Sequence, residues 1–133
     1  MHKLPKAPKE SMIYEDKQVY VCLAMYPLTK GHTIVVWKKP VKDIHDLSCK
    51  QYEHLMNVVD ITRDALLKTL KVKKVYLLYM DEVKHVHWHL VPRFNEKGVN
   101  ALLHIPKRAK DFSLTLKIKR EFSEVLKKHK KDF

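Results

Sequence analysis

Cysteine, long apolar segments and acidic residues are all scarce in this sequence. The two cysteines, Cys22 and Cys49, are too few for a disulfide framework or a cysteine metal cluster, so we expect reduced thiols. No apolar run approaches the roughly 18 residues of a membrane span, and the N-terminus lacks the apolar core of a signal peptide. The sequence therefore predicts a cytoplasmic protein that does not enter a membrane.

The shortage of acidic residues leaves a strongly basic chain, with 15 acidic residues against 27 basic ones and a net charge of +12. A charge of this size attracts anionic ligands, nucleic acid included, over a long range. The excess is mainly lysine, however, whereas phosphate clamps and base recognition favour arginine, of which there are four. A lysine-rich surface explains the charge better than a dedicated nucleic-acid site, so nucleic acid is a permitted partner but not a required one.

The length of 133 residues, 45% of them hydrophobic, suits one domain with a single core. Residues 1–11 are polar and basic and contain two prolines, so we assign them to a flexible leader and residues 12–133 to the domain. Alternating apolar residues predict a hairpin of two strands, 12–15 and 19–24. A run of β-branched residues predicts a third strand, 33–37.

Two amphipathic helices are predicted, because apolar residues recur at helical spacing in two segments. The first begins after Ser48, where Gln51 completes a capping box, and its apolar stripe runs through residues 52–70. The second covers residues 113–131 and ends in lysines, which suit the negative end of a helix dipole. With a further strand at 72–80, this order of elements predicts an α+β domain built on an antiparallel sheet.

The most informative stretch is residues 85–94, in which three histidines alternate with bulky apolar residues. A period of two is that of a half-buried strand. His85, His87 and His89 would then share one face, about 6.6 Å from one another, while the apolar residues between them face the core. Exposed strand faces usually carry threonine, lysine, glutamate or serine, so a plain solvated face is the weaker interpretation.

A row of imidazoles has a definite chemistry. An unprotonated ring nitrogen is a nucleophile towards phosphorus, and a pKa near neutrality lets neighbouring histidines donate hydrogen bonds or transfer protons. The nucleophilic ring must be oriented through its other nitrogen, for which a strand carbonyl is a suitable acceptor. His87 is flanked by a histidine on each side, so the sequence favours it as the nucleophile.

The pattern His-x-His-x-His, followed by two apolar residues and Pro92-Arg93, resembles the signature of the histidine triad (HIT) superfamily of nucleotidyl hydrolases and transferases. The resemblance implies a HIT-like fold, with an antiparallel sheet of about five strands, one long helix packed on it and a C-terminal helix. It also implies that His87 attacks the α-phosphorus of a nucleotide derivative and forms a covalent nucleotidyl-histidine. His85 and His89 would orient His87, bind phosphate oxygens and assist proton transfer.

The same resemblance implies substrates such as dinucleoside polyphosphates, phosphoramidates or similar adenylated compounds, and a homodimer. It implies no required cofactor, apart from a divalent cation that the substrate carries with it. Residues 27–32 resemble the family's Pro-x-x-Pro-Gly-His loop, with a lysine in place of the second proline, so the likeness covers residues 12–94. Residues 95–133 align with no family segment, and we expect this C-terminal extension to shape the substrate pocket. Substrate binding is assigned to His32, Lys30, Glu82, Asp81 and Arg93.

Two positions depart from the family pattern. Asp81 and Glu82 stand where many members carry a glutamine and a hydroxyl residue that contact the phosphate or the leaving group. Two carboxylates would repel a polyphosphate, which favours a weakly charged leaving group such as the amine of a phosphoramidate. Alternatively, both carboxylates turn outward and a lysine neutralises them. Ala24 stands near the position of the Asn or Asp that often binds the ribose hydroxyls, which leaves the sugar without a predicted partner.

Two other functions fit the same residues. Two of the triad histidines, together with His32, would bind zinc, whereas all three span about 13 Å along a strand and cannot share one ion without a bulge. A non-catalytic nucleotide- or RNA-binding module would use the basic surface instead. Turnover that depends on His87 distinguishes the enzyme from both alternatives.

Overall fold

The computed structural model describes residues 6–129 of the chain. Its sheet has five strands in the order β1-β2-β3-β5-β4, and all neighbouring strands are antiparallel. The strands are β1 (Met12–Glu15), β2 (Val19–Leu23), β3 (Thr33–Trp37), β4 (Lys74–Tyr79) and β5 (His87–Arg93). The helices are α1 (Cys49–Leu70) and α2 (Thr115–Lys128). This architecture confirms the α+β fold class, with one long helix and one C-terminal helix.

The β1–β2 hairpin is closed by an aspartate. Asp16 Oδ1 accepts hydrogen bonds from the backbone N–H groups of Gln18 and Val19, at 2.8 and 2.9 Å. The Tyr14 hydroxyl donates to the other carboxylate oxygen of Asp16, at 2.8 Å. An aspartate that accepts from backbone N–H groups two and three residues later stabilises a tight turn, as the sequence predicted here.

Helix α1 begins with the predicted capping box. Ser48 Oγ accepts from the Gln51 N–H at 3.2 Å, and the Gln51 side chain accepts from the Ser48 N–H at 2.8 Å. The helix ends at Leu70, and the Lys71 that caps it has a left-handed backbone with a φ of 55°. Its buried face meets one side of the sheet through Leu55, Val58, Val59, Ile61, Ala65 and Leu66. Tyr52, the first residue of the predicted stripe, is 43% exposed and lies outside that face.

Helix α2 covers the same side of the sheet as α1. Its predicted apolar residues Ile118, Phe122 and Val125 are buried in the core that α1 also lines. The Phe122 ring stacks on Tyr14 of β1, with ring centroids 4.6 Å apart. The C-terminal extension therefore belongs to the one core of the domain. Of the described helices, none is both long enough and apolar enough to cross a bilayer.

The remaining differences from the sequence-based expectations lie at the ends of elements. Strand β4 and helix α2 are both shorter than predicted, and residues 130 and 131 of the predicted helix lie outside the described range. Within the expected leader, Lys9–Ser11 form a 3-10 turn and Ser11 is fully buried, whereas residues 1–5 lie outside the described range. Beyond β5, a 3-10 helix (Gly98–Leu103) follows the predicted turn.

Candidate active site

Strand β5 carries His87 and His89 on the face of the sheet opposite to the helices. Val86 and Leu90 are fully buried in the core, which confirms the predicted alternation. The strand lies between β3 and β4 and pairs with both, so its backbone is held on both sides. The His87 side chain is buried as well, with its residue only 4% exposed.

His85 does not share this strand, which corrects the expectation of three histidines in one row. Strand β5 begins at His87. The Val86 N–H donates to the carbonyl of Val41, and the Val86 carbonyl accepts from Trp37, so the chain before the strand follows residues 37–41. His85 Nε2 lies 2.6 Å from the carbonyl oxygen of Trp37, at the start of residues 37–41, and donates a hydrogen bond to it. His85 therefore makes its hydrogen bond to the His87 ring through its backbone carbonyl, while its own ring is bound to Trp37.

The backbone of His85 determines which nitrogen of His87 carries the proton. His87 Nδ1 lies 2.7 Å from the His85 carbonyl oxygen, which can only accept, so Nδ1 is the protonated nitrogen of the neutral ring. His87 Nε2 then has a free lone pair. It lies 3.2 Å from His89 Nε2, which must be the donor in this contact. The network assigns these protons.

The proton of His89 can also be assigned from the other end of the histidine series, starting at the backbone N–H of Leu28. The Leu28 N–H donates to His32 Nδ1 at 3.0 Å, so His32 carries its proton on Nε2. His32 Nε2 lies 3.0 Å from His89 Nδ1 and donates to it, which again leaves the proton of His89 on Nε2. The three rings form one directed series of hydrogen bonds from the Leu28 N–H to the His85 carbonyl, in which the lone pair of His87 Nε2 accepts from His89.

Burial keeps these rings neutral. Burial, reinforced by the neighbouring His89, lowers the pKa of His32 to about 3. Burial and the adjacent His87 lower the pKa of His89 to about 4. The pKa of His87 is also lowered by burial, although its hydrogen bond to the His85 carbonyl and the charge of Glu82 act in the opposite direction. At neutral pH, His87 therefore presents an unprotonated nitrogen.

The loop of residues 24–32 is fixed so that His32 reaches this series. The Thr29 hydroxyl donates to the Pro92 carbonyl at 2.6 Å, and the Thr33 hydroxyl donates to the Gly31 carbonyl at 2.8 Å. Gly31 has a φ of +83°, and a Cβ atom there would lie 2.6 Å from Leu70 Cδ1 of α1. The turn before His32 thus depends on the absence of a side chain.

Two cavities adjoin the histidines. One, of about 190 Å³, is largely apolar and is lined by Cys22, Ala24, Met25 and Ile34, with His32 and His89 among its walls. The other, of about 250 Å³, lies between the 24–32 loop and residues 109–114 and includes Lys30 and His32. The Ala109 N–H donates to the Met25 carbonyl at 2.7 Å, which joins the two segments. The C-terminal extension therefore forms a wall beside the site.

The structure brings some of the predicted binding residues to the histidines and separates others. Asp81 and Glu82 are both exposed, as the alternative in which the two carboxylates turn outward predicted. Arg93 lies six residues beyond His87, about 20 Å along an extended strand, and donates to the Tyr76 hydroxyl at 3.2 Å. Strand geometry therefore places Arg93 at the far end of β5 from His87, and its assignment to substrate binding stays a prediction.

Sequence reasoning predicted a backbone carbonyl as the acceptor for the nucleophilic ring, but it did not identify which backbone groups orient the histidines. The carbonyls of His85 and Trp37 and the N–H of Leu28 are backbone atoms, which leave no signal in residue type. The ring nitrogens of His32, His89 and His87 face one another in series. A zinc ion at these histidines would have to displace the His32–His89 or the His89–His87 hydrogen bond.

Comparison with known proteins gives consistent matches. The HIT domain family model matches residues 6–96. An uncharacterised HIT-like protein of Methanocaldococcus jannaschii is 30% identical over 92 residues, which are 65% of this chain and 71% of that protein. The adenosine 5'-monophosphoramidase of Saccharomyces cerevisiae is 28% identical over 115 residues, or 82% of this chain and 70% of that protein.

The fold has counterparts among solved structures. A zinc-bound histidine triad family protein from Mycobacterium smegmatis superposes with a TM-score of 0.74 at 22% identity. The superposition covers 92% of this chain and 89% of that chain, so it includes the C-terminal extension for which no sequence counterpart was expected.

Proposed function

This chain belongs to the HIT family, and from that premise we propose that it cleaves the bond between the α-phosphorus of a nucleoside monophosphate derivative and its leaving group. The observation that carries the proposal is the unprotonated Nε2 of His87, which is fixed by hydrogen bonds from both ends of the histidine series. A buried, neutral and oriented imidazole is what nucleophilic attack on phosphorus requires.

In the first step, the lone pair of His87 Nε2 attacks the α-phosphorus. The N–P bond forms as the bond to the leaving group breaks, and the leaving group departs with the electron pair and takes up a proton. The positive charge that develops on the His87 ring is stabilised by the Nδ1 hydrogen bond to the His85 carbonyl. His89 Nε2, which donates to His87 in the free protein, would donate to a phosphate oxygen.

In the second step, a water molecule attacks the phosphorus of the nucleotidyl-histidine. The N–P bond breaks, His87 recovers its lone pair, and the nucleoside monophosphate leaves while the proton of the water passes to solvent. Dividing the displacement into two steps makes each barrier lower than that of direct attack by water. The hydrogen-bond series returns to its starting arrangement.

We infer that the preferred leaving group is an amine. Asp81 and Glu82 are exposed carboxylates that precede the histidine strand, and an anionic polyphosphate leaving group would be repelled by them. An amine, as in an adenosine 5'-phosphoramidate, carries no such charge. The phosphoramidase activity named for the yeast relative supports the same substrate class. The apolar cavity beside His32 and His89 would receive the nucleoside.

The decisive experiment is a rapid-quench incubation with adenosine 5'-phosphoramidate that is radiolabelled in its phosphate. We expect acid-labile label on the parent protein and none on His87→Ala. His45→Gln is the control, because His45 is an exposed histidine far along the chain from β5. Label that persists in His87→Ala would refute the assigned nucleophile. Nucleotide binding without turnover in the parent would instead identify a binding module.

The preference for an amine leaving group is tested by comparing kcat/KM for adenosine 5'-phosphoramidate with that for a diadenosine polyphosphate. We expect the phosphoramidate to be favoured, and Glu82→Gln to reduce that preference. An unchanged preference in Glu82→Gln would show that this carboxylate does not select the leaving group.

A further inference from the structure

A second group of metal-ligating side chains lies where α1 and α2 meet, apart from the histidine site. Asp60 and Asp64 are one turn apart on α1, and His129 directly follows the last residue of α2. One ligand atom from each of the three lies within 4.8 Å of the other two. His129 Nε2 and Asp64 Oδ2 are 3.8 Å apart.

We propose that Asp60, Asp64 and His129 bind a divalent first-row transition metal such as zinc, which joins the end of α2 to α1. Imidazole nitrogen and carboxylate oxygen are both ordinary zinc ligands, with bonds of about 2.1 Å. Tetrahedral bonds of that length place ligand atoms about 3.4 Å apart, so the three side chains need to approach one another by about 1 Å. Water would complete the coordination.

The residues around the three ligands favour a cation at this position. His129 lies at the C-terminal end of α2, which is the negative end of the helix dipole. The two oxygens of Asp64 are directed differently, Oδ1 to Arg63 at 3.5 Å and Oδ2 to His129. Within residues 6–129, Asp60 has no ion-pair partner, so its carboxylate is available as a ligand.

A simple ion pair between protonated His129 and Asp64 is the alternative, and a second histidine cluster provides the contrast. His45 contacts Asp43 through Nδ1 at 3.0 Å and Asp46 through Nε2 at 3.4 Å. The two nitrogens of one ring point in different directions, so these carboxylates do not converge with His45 on one point. His45→Gln is therefore the matched control for the loss of an aspartate-paired histidine.

The first test is thermal unfolding of the untagged full chain in EDTA and in zinc. Zinc at tenfold above its dissociation constant should raise the midpoint of the parent by about 5 °C. We expect the same rise in His45→Gln and its loss in both His129→Gln and Asp64→Asn, each compared with its own midpoint in EDTA. An equal rise in all four proteins, or none in the parent, would overturn the proposal.

The second test locates the ion and separates this site from the histidines of β5. Manganese(II) broadens the NMR signals of nearby amides, and carboxylate ligands suit it well. We expect selective loss of the amide signals of residues 60–64 and 125–129 in the parent, and their retention in Asp64→Asn. Broadening confined to residues 85–89 would place the metal at the triad and contradict the assignment.

Discussion

The proposed reactivity of His87 depends on two hydrogen bonds, one at each nitrogen of its ring. The His85 carbonyl takes the proton of Nδ1, and the His89 ring donates to the lone pair of Nε2. The resemblance assigned His85 to orientation and phosphate contact. In the structure, its carbonyl orients His87, while its ring donates to Trp37. A role for the His85 ring at the phosphate stays a prediction.

The pH dependence of the reaction should follow the lowered pKa of His87. Protonation removes the lone pair of Nε2, so kcat/KM should decline in acid with a midpoint below the ordinary histidine pKa of about 6.5. The measurement is kcat/KM for adenosine 5'-phosphoramidate from pH 5 to pH 8. A decline that begins above pH 7 would contradict a neutral, buried nucleophile.

His32 should act as a positioning residue through His89. Glutamine at this position retains one donor for His89 Nδ1 and one acceptor for the Leu28 N–H, whereas leucine retains neither. We expect His32→Leu to lose about 100-fold in kcat, and His32→Gln to lose roughly tenfold or less. The loss should appear in kcat more than in KM. Equal losses in the two variants would show that only the volume of His32 matters.

The loop before β3 and the strand β5 form one unit of the site. Thr29 donates to the Pro92 carbonyl in β5, and Gly31 approaches Leu70 at the end of α1. These two contacts determine where His32 stands relative to His89. The loop therefore depends on residues that have no chemical role in the reaction.

Gly31→Ala should destabilise the protein more than the same change at the other glycine. Both glycines have positive φ angles, but a Cβ at Gly31 would meet Leu70 Cδ1 at 2.6 Å, whereas nothing lies within 4 Å of one at Gly98. We expect losses in the free energy of unfolding of about 2–3 kcal/mol at Gly31 and about 1 kcal/mol at Gly98. Urea denaturation measures both. Equal losses would mean that Leu70 moves aside without cost.

The whole domain should be sensitive to acid because it buries neutral histidines. In the unfolded chain these imidazoles take up protons near pH 6.5, whereas folding lowers the pKa of His89 to about 4 and that of His32 to about 3. The unfolded state therefore binds more protons in this interval. Their contribution to stability is fully present above pH 6.5 and is lost as the pH falls towards 4.

We expect the free energy of unfolding of the parent to fall by on the order of 6 kcal/mol between pH 7 and pH 4, about half of it from each of His32 and His89. His32→Gln removes one titrating group, so its stability should change less over the same interval. Urea denaturation at successive pH values measures the difference between the two proteins. A steeper dependence in His32→Gln than in the parent would contradict the assignment of this loss to buried histidines.

The exposed edges of the sheet are a candidate surface for assembly with a second copy of the chain. The sheet has two edge strands, β1 and β4, and two large apolar side chains are exposed there, Leu77 within β4 and Met80 just beyond its end. Pairing an edge strand with a second copy would cover such an edge. The homodimer that the resemblance implies stays a prediction, which sedimentation at micromolar concentrations would test.

Local patterns in the chain were sufficient to predict most helices and strands and to identify the histidines of the candidate site. Alternation of apolar residues placed β1, β2 and β5, a run of β-branched residues placed β3, and the Ser48–Gln51 pair placed the start of α1. Each of these signals arises between residues two to four positions apart, so the amino-acid order contains it. The spacing of the histidines is of the same kind, and the resemblance drawn from it is confirmed by the HIT domain family model, which matches residues 6–96.

Two of the contacts that orient the histidines join distant parts of the chain. His32 and His89 are 57 residues apart, and His85 meets the Trp37 carbonyl across 48 residues. Such pairs depend on the register of β3 against β5, in which Val36 lies opposite His87. Register is set by the packing of whole strands on α1 and α2, and the same packing brings His129 beside Asp64 while it carries Arg93 away from the site.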